Sequence, residues 1–230
     1  MLHIFGFMGV YFRILAFFVG AIFAKFLEYL GWHMSNGESV LKRRNTIHQL
    51  SSIRELLLAI LFMLATFRWG ITPKLILMLL FFCVLYLLSL VDIYIQEIPD
   101  SCHLVAIGIR FLYYFLYENF QLDTFIYLIA SGIFVVLPLL FVTFIIEKIL
   151  RKEAFGGGDI KLIFVTGLYL GWECNMLMLL VACIIGIIIG LVQGYNSSKE
   201  LDYFPFGPVI AVATVFCLFF GDNIMNKYIL

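Results

Sequence analysis

Charge is scarce in this sequence. Asp, Glu, Lys and Arg together make up 13% of its 230 residues, against about 25% in an average soluble domain, which excludes a water-soluble globule. Fifteen Lys+Arg offset fifteen Asp+Glu, so the net attraction that nucleic-acid binding depends on is missing as well. The five cysteines, Cys83, Cys102, Cys174, Cys183 and Cys217, stand singly with no C-x-x-C pair. They therefore offer neither a zinc site nor a redox pair, and read as small apolar filler. His3, His33, His48 and His103 show no H-x-x-x-H spacing, so no metal site is expected. The first 30 residues lack the short apolar core and small-residue cleavage site of a secretory signal, and Met1 to Trp32 is expected to stay as a membrane span. No internal repeat, low-complexity tract or long linker interrupts the chain.

Apolar residues fill the remainder: 63% hydrophobic and 17% aromatic, with a mean hydropathy of +1.06. A spanning helix needs roughly 20 apolar residues. Apolar stretches fall at about 5–30, 56–67, 75–91, 104–117, 125–146, 160–171, 176–194 and 206–221, separated by short polar or Gly/Pro-containing connections. The expected fold is an all-α, polytopic membrane helix bundle of about eight transmembrane helices, a single embedded domain over 1–230. The expected partner of this surface is the lipid bilayer.

Orientation follows from the basic residues. With the N-terminus outside, the inward connections carry Lys42, Arg43, Arg44, Arg54, Lys148, Arg151, Lys152 and Lys199, and the outward side only Arg68, Lys74 and Lys227. That asymmetry fits the positive-inside rule. Trp32, Trp69 and Trp172 all fall at expected span ends, as an interfacial aromatic belt requires.

Two carboxylates end apolar runs at the same, inward face. Asp92 follows Leu85-Tyr-Leu-Leu-Ser-Leu-Val91, and Asp159 ends Gly156-Gly157-Gly158-Asp159. An acid in mid-helix costs on the order of 2.5–3.5 kcal/mol on insertion scales, so acids at membrane depth line a wet cavity or do chemistry. The bland alternative is that both are loop charges in headgroup water. Three successive glycines weigh toward chemistry, because they give no packing and suit a sharp turn or a close backbone approach, such as that of a substrate strand. Pro99 resets the chain after Asp92, and Asp100 reads as the N-cap of the helix starting at Ser101. A direct role for Asp100 also stands open.

The segments Asp92-Ile-Tyr-Ile-Gln-Glu-Ile-Pro99-Asp100 and Gly156-Gly-Gly-Asp159-Ile-Lys161-Leu, with Pro205-Phe-Gly-Pro208 near the last helix, resemble the type IV prepilin peptidases, GxGD intramembrane aspartyl proteases. Arg54-Glu-Leu-Leu-Leu is a looser match to the same family. The resemblance implies that Asp92 and Asp159 are the catalytic pair, with Gly156, Gly158, Lys161, Pro99 and Asp100 in support and no metal. It also implies prepilin or pseudopilin substrates, cleavage at the cytoplasmic face of the cell membrane, and no cofactor for proteolysis. Such a pair suits peptide hydrolysis, in which one ionised carboxylate activates water and one protonated carboxyl polarises the carbonyl. Lys161 either holds Asp159 ionised, contacts a substrate carboxylate, or snorkels to the interface. The connection 33–54 carries no cysteine, whereas many members hold two C-x-x-C pairs there. The likeness is therefore to the compact members associated with competence pili, and S-adenosylmethionine is implied only if an N-methyltransferase activity is retained.

The remaining residues carry structural readings. Arg110 pairs with an acid across the bundle or snorkels, Glu28 is neutralised by Lys25 three residues before it, and Gly186, Gly190 and Gly194 form a helix-contact face. A non-catalytic pilus assembly factor and an acid-coupled transporter are the alternatives. The transporter is disfavoured by acids at span ends instead of the midplane.

Overall fold

The computed structural model describes residues 2–35, 44–118, 121–151, 155–196 and 205–228. Every regular element among them is a helix: α1 (Leu2–Met34), α2 (Arg44–Trp69), α3 (Pro73–Ile95), α4 (Asp100–Tyr117), α5 (Leu122–Leu150), α6 (Gly157–Asn196) and α7 (Gly207–Tyr228). Five contain segments long and apolar enough to cross a membrane, at Gly9–Met34, Pro73–Ile95, Leu122–Ile149, Gly157–Val192 and Gly207–Lys227. Large side chains such as Phe18, Ile22, Phe67, Phe141, Ile149 and Leu191 are exposed, a surface that only lipid suits. The chain is a multi-pass membrane protein.

The helix count departs from the eight expected spans in an instructive way. Stretches 160–171 and 176–194 lie in one element, α6, which contains a non-helical residue at Gly171 (φ 77°, ψ 166°). That backbone region is open essentially to glycine alone. Asn175 Nδ2 donates to the Ile163 carbonyl at 3.1 Å, although twelve residues of straight helix would separate them by about 18 Å. α6 therefore doubles back on itself at Gly171. Among the described residues, α2 carries Arg54, Glu55 and Arg68, and α4 carries Asp100, His103 and Arg110, and neither ranks with the five. The connection 33–54 is also shorter than expected, since Arg44 already begins α2. Of the basic residues counted above, Lys42, Arg43, Lys152 and Lys199 lie outside the described residues, as do the side chains of Arg44, His3 and His48.

The chain forms two compact units, Met1–Ile95 and Gln96–Leu230. In the first, α1, α2 and α3 pack on one another. A Cβ at Gly20 would lie 2.9 Å from Ala59 Cα, and Ala24, Ala59 and Ala65 are fully buried. Small residues let the backbones of α1 and α2 approach, which is how helices associate without a hydrophobic drive from lipid. Glu28 is paired with Arg54 of α2 at 3.3 Å and accepts the Tyr86 hydroxyl of α3 at 3.3 Å. The expected Lys25 pairing is thus replaced by a polar bridge across three helices.

In the second unit, α6 packs on α4, α5 and α7. Tyr114, Leu128 and Leu168 centre a cluster joined by Phe111, Phe125 and Phe164. The tightest approach is again at glycine: a Cβ at Gly167 would lie 2.7 Å from Gly132 Cα. The expected glycine ladder is not such a face, because nothing lies within 4 Å of a Cβ at Gly190, and Gly186 meets only the Phe206 ring. The side chain position at 194 lies outside the described residues. Arg110 pairs with an acid just past the end of its own helix, not across the bundle: Nη2 reaches Glu118 at 3.0 Å, while Nε donates to the Leu168 carbonyl of α6 at 2.7 Å. That carbonyl lies in the last turn before the break at Gly171, where a helix leaves its carbonyls without helical donors, so the guanidinium caps the first arm of α6.

Candidate active site

The sequence candidates fall on two elements' ends and one turn. Asp92 lies in the last turn of α3, 5% exposed, with the helix running on to Ile95. Gln96 then takes a positive φ of 59°, the left-handed stop common after a helix. Ile98 and Pro99 follow, and Pro99 serves as the N-cap of α4 in an extended conformation (φ −63°, ψ 133°).

Asp159 occupies the first turn of α6, where the helix's unpaired N–H groups and dipole favour a carboxylate. The turn before it closes on itself, with the Asp159 and Ile160 N–H groups both donating to the Gly156 carbonyl at 3.1 and 3.3 Å. Each glycine has a different neighbour. A Cβ at Gly156 would sit 2.9 Å from Asp159 Oδ2, so the carboxylate folds back over that residue's bare Cα. A Cβ at Gly158 would sit 3.1 Å from Ile98 Cβ. At Gly157 a Cβ would meet nothing within 4 Å. The clearance expected for a substrate strand is thus partly taken by the protein's own atoms, while among the described residues none stands against Gly157.

Lys161 and Asp100 come together, Nζ to Oδ1 at 2.6 Å, with both side chains exposed. Asp100 is therefore not the cap of α4, which has no side-chain cap hydrogen bond. Its carboxyl is held below the usual carboxylate range by the hydrogen bond and charge of Lys161. Lys161 is engaged with that partner instead of snorkelling alone.

Sequence reasoning missed His103. It lies one turn into α4, 5% exposed, with Nε2 at 3.1 Å from the Gly158 carbonyl and Nδ1 at 4.0 Å from Asp100 Oδ1. The only sequence signal was the i, i+3 spacing from Asp100, since its partner carbonyl is 55 residues away. Gly156, Gly158, Asp159, Lys161, Pro99, Asp100 and His103 all belong to the second unit; Asp92 belongs to the first. Among the described residues no three His, Cys, Asp or Glu side chains gather to hold a metal ion.

Residues 79–191 match the type IV leader peptidase family. The chain is similar to a prepilin leader peptidase/N-methyltransferase of Legionella pneumophila, 32% identical over 176 residues, which are 76% of this chain and 60% of that protein. It is also similar to the protein of that name from Pseudomonas aeruginosa, 29% identical over 178 residues with the same two shares, 76% and 60%. A third, from Aeromonas hydrophila, is 35% identical over 82 residues, 34% of this chain and 27% of that protein. The matched part thus spans at most about three fifths of these curated relatives. No solved structure matches the chain.

Proposed function

We propose, from the match of residues 79–191 to the type IV leader peptidase family, that the chain is an aspartyl endopeptidase that removes the leader of prepilin or pseudopilin substrates. Asp92 and Asp159 are its catalytic pair. The observation that carries this reading is the placement of Asp159: at a helix N-terminus, on a turn of bare glycine backbone, with open space beside Gly157. A peptide laid along that open face brings its carbonyl to the carboxylate. Two carboxylates acting on one peptide bond share one proton, because acids brought together there do not both ionise cheaply. The ionised oxygen takes a proton from water as the water attacks the scissile carbonyl. The protonated carboxyl donates to the carbonyl oxygen; on collapse, the carboxyl that took the water's proton passes it to the leaving amine, and the other recovers its own from the diol. No metal and no cofactor takes part in these steps.

In the membrane, we read the two arms of α6 as separate passes and α2 and α4 as shorter ones, which gives eight with the N-terminus outside. Both carboxylates and the open face at Gly157 then lie at the cytoplasmic side of the cell membrane, where only a bond near the interface is reachable. The relatives are also named N-methyltransferases, and methyl transfer from S-adenosylmethionine is a separate reading for this chain. It would show as the mass of one methyl group added to the processed N-terminus.

Co-expression with a prepilin-like substrate tests the pair. Asp92→Asn and Asp159→Asn each keep shape and remove proton exchange, so each is expected to abolish the size shift on a gel at normal membrane levels. Normal processing by either variant rules the pair out.

A further inference from the structure

The glycine turn before Asp159 has no side chains of its own to fix its conformation, and glycine backbone is the least restricted of any. Something outside the turn must hold it. The Gly158 carbonyl and the Asp159 N–H belong to one planar peptide group. The N–H end of that group is bound to the Gly156 carbonyl at 3.1 Å, and the carbonyl end meets His103 Nε2 at 3.1 Å. We propose that His103 is the positioning residue of this site: its Nε2–H clamps the Gly158 carbonyl and so sets the direction in which Asp159 presents its carboxylate. This rests on the catalytic role given to Asp159 above.

A carbonyl only accepts, so in this contact Nε2 carries a proton. Nδ1 is buried and makes no hydrogen bond among the described residues. It faces Asp100 Oδ1 at 4.0 Å, and Asp100 is bound in turn to Lys161, two residues beyond Asp159 on α6. The first turn of α4 thus grips α6 on both sides of Asp159, by His103 at residue 158 and by Asp100 at residue 161.

Three substitutions separate a clamp from mere filling. His103→Leu removes the donor, and His103→Met does so with a longer, more adaptable chain should leucine fail to fold. His103→Gln restores an N–H near the place of Nε2. Loss of alignment is expected to lower kcat for leader cleavage about 10- to 100-fold with KM little changed, and glutamine is expected to recover most of it. Equal kcat in the leucine or methionine variant, or glutamine no better than either, overturns the proposal. Amide hydrogen exchange over 155–162 gives a readout that needs no activity. Faster exchange at Asp159 and Ile160 is expected without the donor, reversed by glutamine, and unchanged exchange also overturns the clamp. If the wild-type protein cuts no prepilin substrate while exchange responds as expected, the leader-peptidase reading falls and the clamp stands.

Discussion

At Gly156 and Gly158 the absence of a side chain is a positional requirement, not a general looseness. The first leaves room for Asp159 Oδ2 and the second for Ile98, at 2.9 and 3.1 Å from the missing Cβ atoms. Gly158→Val adds a branched side chain against Ile98 and displaces the turn, so cleavage is expected to fall by about tenfold or more. Gly190→Val, with nothing within 4 Å of the new Cβ, should cleave near the wild-type rate in the same gel assay. Equal loss in both at matched expression would show the glycine turn to be ordinary packing. The glycines and Asp159 were legible because their chemistry is contiguous in the chain. Asp100 and Glu28 were misread for the opposite reason: their local neighbours suggested a cap and a Lys25 pair. Their actual partners, Lys161 and Arg54, lie 61 and 26 residues away, beyond any periodicity.

At the scale of elements, apolar runs located every helix, but their lengths did not reveal which runs share one. The break at Gly171 falls at the end of the apolar stretch 160–171 and just before Trp172, so the sequence placed the turn, and the φ of 77° shows that a glycine makes it. Spacing also misled over the glycine face, since a four-residue ladder on α6 looked like a contact stripe while the true close approaches are Gly20 with Ala59 and Gly167 with Gly132. Backbone at 2.7 Å cannot yield as a flexible side chain does, so Gly167→Ala must force α5 and α6 apart. The expected cost is about 1–3 kcal/mol, read as a lower thermal midpoint in detergent. An unchanged midpoint would mean that the two helices are not closely packed there.

For the whole molecule, scarcity of charge and the exposed apolar surface agree on a polytopic membrane protein, and the sidedness is open to direct measurement. Ser101 and Asp222 are both exposed and lie at expected opposite faces. In a cysteine-free background, Asp222→Cys is expected to react with an impermeant thiol reagent on intact cells, and Ser101→Cys only after lysis. The reverse pattern would invert the orientation proposed above. The doubled-back α6 bears on how such a chain is made. Asn175 on its second arm is fully buried, with its amide bound to the Ile163 carbonyl and its oxygen to the Thr166 hydroxyl at 2.9 Å, both on the first arm. Alone in hydrocarbon, that amide would carry an unmet hydrogen-bonding demand. The second arm therefore gains its polar partners only alongside the first, and the two leave the insertion machinery most favourably as a preformed hairpin instead of one after the other.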